Sequence, residues 1–309
     1  MTPTAGLSEL SDILVSAVLT VMAEVRPKLI EAAFSGEHGE GENKRHADNF
    51  LSQHDLWMHS RYRALLASQL RSFIYASEEA EPELIGEEAA PDLLILVDPL
   101  DTSELAVRGL NGYTHIMAYS RSRARPVAAV VGDIYHHVQL YVATLEPDGQ
   151  DRAYAITADG TRRRLFAREP KLLSESIVTN YLMRPGERFV PLSRQSALLA
   201  ALAAAAPDGK QRGRIGVDFG SIGLCHVASG FTDAIIEFAK GFAIWDLAPG
   251  HYILSAAGGA VVDLGGVPLS LDYDLSTNER IVEAMKPRQK FVAAGSAQLA
   301  EEIVRVLSR

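Results

Sequence analysis

Cysteine is almost absent: Cys225 is the only one in 309 residues, so no intrachain disulfide can form. Its place inside a predicted helix reads as that of a small buried apolar residue. A basic excess is also missing. Thirty Lys and Arg against 39 Asp and Glu leave a net charge of −9, which argues against the basic face of a general nucleic-acid binder. No apolar run is long. The most aliphatic one, Ala197 to Ala206, stops at Pro207, well short of the ~20 residues of a membrane span. The N-terminus lacks both a basic region and a clean apolar stretch, so no signal peptide is expected and a cytoplasmic protein is the default reading. Internal repeats are absent. What is present, 47% apolar and 22% charged residues, is ordinary for a soluble enzyme of one large domain or two.

Periodicity divides the chain into elements. Leu10, Ile13, Leu14, Ala17, Val18, Val21 and Val25 predict a long amphipathic first helix, and Gln53 to Leu70 a second. Between them, Ser35 to Asn43 is polar and Gly-rich and reads as a mobile loop. Phe73 to Ser77 and Leu93 to Val97 predict strands, and three more are expected between Tyr113 and Thr144. His136-His137 belongs to a surface hairpin, because adjacent side chains on a strand point to opposite faces and do not easily grip one ion. Glu146-Pro147-Asp148-Gly149 is a turn signal, taken as the handover between an N-terminal part, 1–148, and a C-terminal part, 149–309. In the second part, helices are expected at Ser193–Ala205, Ser221–Ser229, Trp245–Ala257 and Ala297–Leu307. Strands are expected at Arg214–Val217, Asp233–Phe238, Ala260–Asp263 and Lys290–Ala293. Such alternation predicts α/β or α+β layers.

The residues that carry chemistry are acidic. Asp98-Pro99-Leu100-Asp101 ends an apolar strand, and Asp246, in Trp245-Asp246-Leu247-Ala248, opens a helix rich in small residues. Carboxylates from these places can converge on a hard cation such as Mg²⁺, which takes oxygen ligands and keeps positions for water and phosphate. Taken singly, each Asp is also an ordinary cap of a turn or helix. Asp-x-x-Asp is not the Asp-x-Asp of haloacid-dehalogenase-type phosphatases, so no aspartyl-phosphate intermediate is expected.

Five motifs in order, across roughly residues 48 to 260, resemble the inositol monophosphatase and fructose-1,6-bisphosphatase superfamily of metal-dependent, lithium-sensitive phosphatases. They are Asp55 near a helix start, Glu78-Glu79 after a strand, Asp98-Pro99-Leu100-Asp101-Thr102-Ser103, Gly220-Ser221, and Trp245-Asp246-Leu247-Ala248-Pro249-Gly250. The resemblance implies a five-layer αβαβα sandwich, two or three Mg²⁺ ions and a homodimer. Metal ligands are then Glu78, Asp98, the Leu100 carbonyl, Asp101 and Asp246. Glu78, Ser103 and Asp55 serve catalysis, with Ser103 orienting the attacking water and Asp55 supporting an additional metal. Asp101, Thr102, Ser103, Gly220, Ser221, Lys240 and Asp246 face the substrate. Glu87-Glu88 is a rival to Glu78. The strand before Glu78 favours the first pair, and Glu81, Glu83, Glu87 and Glu88 read as a solvated acidic loop. Lys240 is read equally as a contact to a second substrate anion or as a solvated lysine.

Two residues depart from the family pattern. Thr102 replaces a Gly whose conformations Thr avoids, and Pro249 replaces an Ala, a change expected to be tolerated in the first turn of a helix. Ser103, Gly109 and the long segment before Trp245 look most like the archaeal dual inositol monophosphatase/fructose bisphosphatase branch. Hydrolysis of a phosphate monoester on a small sugar or cyclitol phosphate is the implied activity, with no nucleic-acid or membrane partner. A nucleotide 3′-phosphatase acting on a substrate such as adenosine 3′,5′-bisphosphate is one alternative. A non-catalytic, metal-stabilised binding protein is the other.

Overall fold

Helix α1, Leu7–Ser35, places Leu14, Val18, Val21, Val25 and Leu29 on one fully buried stripe, as the sequence spacing requires. It runs through Pro27. The computed structural model describes residues 7–41, 50–166 and 168–307. Of the expected mobile loop, Glu42 and Asn43 lie outside the described residues. Two compact units divide the chain: Met1–Arg163 with Leu271–Lys286, and Arg164–Ser270 with Pro287–Arg309. Glu146–Gly149 forms the turn between two strands of the first unit, so the division falls later than the expected handover.

The first unit contains an eight-stranded sheet in the order β2-β1-β3-β4-β5-β6-β7-β8. Its strands are β1 (Ser72–Ser77), β2 (Ala80–Gly86), β3 (Leu93–Asp101), β4 (Tyr113–Ser120), β5 (Arg125–Asp133), β6 (Val138–Leu145), β7 (Asp151–Thr157) and β8 (Arg162–Arg164). β1 and β3 run parallel, whereas β1 with β2, and each neighbouring pair from β3 to β7, run antiparallel. α1 and α2 (Gln53–Gln69) pack on this sheet, and Met58, Tyr62 and Leu66 of α2 join the stripe of α1 in one core. α1 comes so close to β5 that a Cβ on Gly132 would stand 2.6 Å from Met22 Sδ. Strand β2 corrects the expected solvated loop. Acidic composition hid it, yet the outer edge of β1 needs a partner, and an edge strand tolerates both charge and Pro82. Glu83 on β2 pairs with Arg63 of α2 (Nε–Oε2 2.7 Å). A short helix α3 (Ser103–Ala106) follows β3.

The second unit has a five-stranded sheet, β10-β9-β11-β13-β12, formed by β9 (Ile177–Asn180), β10 (Arg214–Val217), β11 (Ala234–Phe242), β12 (Ala260–Val262) and β13 (Gln289–Ala294). Its helices are α4 (Phe189–Ser193), α5 (Ser196–Ala203), α6 (Gly220–Ser229), α7 (Ile244–Ala256) and α9 (Ala297–Val306). The expected helix 193–205 is α5, begun three residues later, and the short α4 precedes it. α8 (Asn278–Ala284), not foreseen, belongs to the first unit and packs on β2. α6 and α7 touch through Gly250, where a Cβ would stand 2.5 Å from the Ser221 carbonyl oxygen. Pro249 is the sixth residue of α7, past the first turn, so the ladder bond it cannot donate is an interior one. That corrects the expectation of a harmless first-turn proline.

Candidate metal and phosphate site

A β-bulge builds the centre of the site. Residues three apart on a regular strand face opposite sides of a sheet. On β3, however, Asp98 pairs with His115 and Asp101 with Tyr113, so three residue steps on β3 oppose two on β4. The extra residue turns Asp101 onto the face of Asp98. Pro99, which has no N–H to give the ladder, lies inside the bulge. As a result Asp98, Asp101 and His115 each offer a donor atom within 4.8 Å of the others. His115 Nδ1 is 3.6 Å from Asp98 Oδ2, and His115 Nε2 is 3.5 Å from Asp101 Oδ2. The His115 side chain is 0% exposed, Asp98 1% and Asp101 13%. Two carboxylates this close and this buried repel unless a positive charge lies between them, and this donor set suits a divalent cation. Among the described residues it is the one His/Cys/Asp/Glu group that converges in this way.

Glu78 follows the last residue of β1. Ser77 pairs with Val97 in the parallel register, and the Glu78 N–H donates to the Val97 carbonyl at 3.2 Å, so Glu78 sits beside Asp98. Glu87 sits at the other end of β1. Gly86 pairs with Ser72, and the Glu87 and Glu88 N–H groups donate to Ser72 Oγ, about 20 Å along the strand from Glu78.

Asp55 and Ser103 meet at one edge of the same cluster. Asp55 is the third residue of α2 and closes a capping box, accepting from the Ser52 N–H (2.8 Å) and Ser52 Oγ (2.6 Å). Its other oxygen takes a short hydrogen bond from Ser103 Oγ, which also lies 2.7 Å from the Leu100 carbonyl oxygen. Burial pushes the Asp55 carboxyl up from the usual range, against the hydrogen bonds from Ser103 and Ser52. Thr102 is left-handed (φ 62, ψ 38), the conformation that suits the Gly expected there, and its hydroxyl donates to the Asp101 carbonyl at 2.6 Å.

The remaining predicted site residues lie in the second unit. Asp246 is the third residue of α7, with Oδ2 3.4 Å from the Ala243 N–H and 3.8 Å from Arg288 Nη1. Ser221, two residues into α6 after Gly220, is buried; its hydroxyl donates to the Asp246 carbonyl (2.8 Å) and accepts from the Gly250 N–H (2.9 Å). That hydroxyl therefore fastens α6 to α7. Lys240, partly exposed, pairs with Glu187 at 2.9 Å. His136 lies on the β5–β6 hairpin, 61% exposed, as expected. His115 was missed. The signal was there, an imidazole inside an otherwise apolar strand, but its partner on β3 is visible only once the register is known.

Known proteins resemble the chain in sequence and in fold. The inositol monophosphatase family model matches residues 7–305. Human (Homo sapiens) inositol monophosphatase 2 is 47% identical over 51 residues, 16% of this chain and 17% of that protein. The Nus factor SuhB of Pasteurella multocida is 27% identical over 178 residues, 57% of this chain and 58% of that one. Those matches span less than two thirds of either relative. In fold, the holo form of Leishmania major fructose-1,6-bisphosphatase resembles the chain with a TM-score of 0.69 at 14% identity, over 95% of this chain and 93% of that one. With one family model matched from residue 7 to residue 305, the chain belongs to the inositol monophosphatase family.

Proposed function

We propose that the chain hydrolyses the phosphate monoester of a small sugar or cyclitol phosphate with the help of Mg²⁺. The observation that carries this reading is the bulge that turns Asp98 and Asp101 onto one face, beside Glu78 and the Ser103–Asp55 pair. Asp98, Asp101, Glu78 and the Leu100 carbonyl would hold the metal, and Asp246 joins them through its motif alone. Bound divalent ions supply an acidified water and neutralise charge on the phosphate. The chain supplies position. Ser103 Oγ, which donates to the buried Asp55, would orient the attacking water, taking its proton while passing its own to Asp55. Thr102 and Ser103 are assigned to the phosphate through their backbone N–H groups. Phosphoryl transfer asks chiefly for such positioning and charge neutralisation.

No described helix is long and apolar enough to cross a membrane. A cytoplasmic homodimer belongs to the same proposal, and the lone buried thiol Cys225 suits a reducing compartment. The test is release of inorganic phosphate from inositol 1-phosphate, fructose 1,6-bisphosphate and a nucleotide 3′-phosphate, with Mg²⁺ and with chelator. Mg²⁺-dependent release from a sugar or cyclitol ester, lost in Asp98→Asn, is expected. A folded, Mg²⁺-loaded chain that hydrolyses none of them would overturn the reading, and release confined to the nucleotide would replace the substrate class.

A further inference from the structure

We propose that His115 is itself a metal ligand, making with Asp98 and Asp101 a mixed nitrogen–oxygen site that prefers a first-row transition ion, such as Mn²⁺ or Zn²⁺, to Mg²⁺. The inference concerns the same site as the phosphatase reading and rests on it for the place of the metal.

Register puts His115 there. It is the cross-strand partner of Asp98, so the two side chains share a face, and the β3 bulge adds Asp101 to that face. The neighbouring Thr114 fixes the strand: its hydroxyl lies 3.3 Å from the Asp98 carbonyl oxygen and 2.8 Å from Tyr62 Oη of α2. Those bonds tie the His115 segment of β4 to β3 and α2.

The Nε2–Asp101 distance is that of two donors sharing one ion. At 3.5 and 3.6 Å, the contacts from the ring nitrogens to Asp101 and Asp98 are beyond hydrogen-bond reach. Two donors about 2.0–2.2 Å from one ion at a tetrahedral angle lie about 3.4 Å apart, close to what is seen. The two nitrogens also face different carboxylates. Nε2 points to Asp101, the more exposed of the two, and we assign it to the ion. Nδ1 then lies on the side of the deeply buried Asp98, whose Oδ2 flanks the ring while its other carboxylate oxygen serves the ion. A site made only of oxygens suits Mg²⁺, whereas an imidazole nitrogen shifts preference towards Mn²⁺, Fe²⁺, Co²⁺ and Zn²⁺.

The test uses the full chain loaded with Mn²⁺ and pulsed electron paramagnetic resonance. Modulation from a directly bound nitrogen is expected, and it should change when the histidines carry the heavy nitrogen isotope. In His115→Gln the modulation should disappear and Mn²⁺ affinity should fall at least about tenfold, with Mg²⁺ affinity falling by a clearly smaller factor. Absence of histidine-nitrogen modulation, failure of Mn²⁺ to bind, or equal loss of Mn²⁺ and Mg²⁺ affinity in the variant overturns the proposal. An imidazolium that merely takes the place of a cation would give the first of these results. If His115→Gln does not fold, the isotope experiment on the unaltered chain decides. Mn²⁺ bound without nitrogen coupling in a chain that releases phosphate with Mg²⁺ sinks this inference alone. Nitrogen coupling in a chain that hydrolyses no ester sinks the phosphatase reading alone.

Discussion

At the scale of single residues, the Ser103–Asp55 contact and the left-handed Thr102 lead to the sharpest expectations. Ser103→Ala removes a group that works on the water rather than on the bound ester. It should lower kcat by about 100-fold with KM nearly unchanged, and a rise in KM at constant kcat would show a binding role instead. Asp55 can take the Ser103 proton only when ionised, and burial raises its pKa. Activity should therefore fail on the acid side at a higher pH than an ordinary Asp would set, and Asp55→Asn should abolish that limb together with most of the rate. An acid limb unchanged in Asp55→Asn would remove Asp55 from the reaction. Thr102 holds a conformation that costs an L-residue roughly 1–2 kcal/mol, offset by about 1 kcal/mol through its hydroxyl bond to Asp101. Thr102→Gly should leave stability level or raise it by less than about 1 kcal/mol, since freeing the unfolded chain takes back part of the gain. Thr102→Val keeps the strain, loses the hydroxyl and should cost about 1 kcal/mol. Urea midpoints in the opposite order would show that this left-handed turn is not strained.

Strands and helices show which parts of the structure could be read in advance. α2, β1, β3, α6, α7, β13 and α9 stand where period and capping put them, because each carries its own signal in consecutive residues. β2 was hidden by its acidic composition, and α8 by its shortness. The bulge in β3 and the approach of His115 were hidden for a different reason. Both depend on which residue of β4 lies opposite Asp98, and pairing between strands leaves no mark in either strand alone. Placing Glu78 and Glu87 at opposite ends of β1 is likewise a matter of register. From it we expect Glu78→Gln to lower phosphate release by about 100-fold or more, the scale of losing a positioned acid–base group, and Glu87→Gln to leave it near the unaltered level. The reverse ranking would move the site to the far end of the strand. Within α7, burial holds the His251 imidazole down to about 4, against 6.5 in the unfolded chain. Its contribution is complete above pH 6.5, where both states are neutral. It is lost as pH falls towards 4, because only the unfolded state takes up the proton. A decline of up to about 3 kcal/mol over that window is expected, flattened in His251→Gln. Equal slopes for both proteins in urea titrations at several pH values would show that His251 is not the titrating group.

For the molecule as a whole, the placement of the acidic cluster predicts where metal binding is felt. Asp98, Asp101, His115, Glu78, Asp55 and Ser103 all belong to the unit made of Met1–Arg163 and Leu271–Lys286. That unit is closed by a distant segment: Tyr119 Oη donates to Asp272 Oδ1 (2.8 Å) and Arg121 Nε to the Ser276 carbonyl (2.9 Å). A ligand that binds only the folded unit stabilises it by mass action, about 2.7 kcal/mol at 100 times its dissociation constant. For a body of this size that amounts to roughly 5–10 °C in melting temperature. Saturating Mg²⁺ should therefore raise the melting transition by that amount over chelator. It should also slow hydrogen exchange at the adjoining ends of β1, β3 and β4 more than in β12 and β13. Asp98→Asn should erase most of the shift, although it removes a buried charge that by itself weighs against the metal-free fold. The two effects separate cleanly, because in chelator the variant should melt no lower than the unaltered chain, while in Mg²⁺ it should melt well below it. A transition that ignores Mg²⁺, or exchange that slows equally in both units, would mean that the cluster is not where the ion binds.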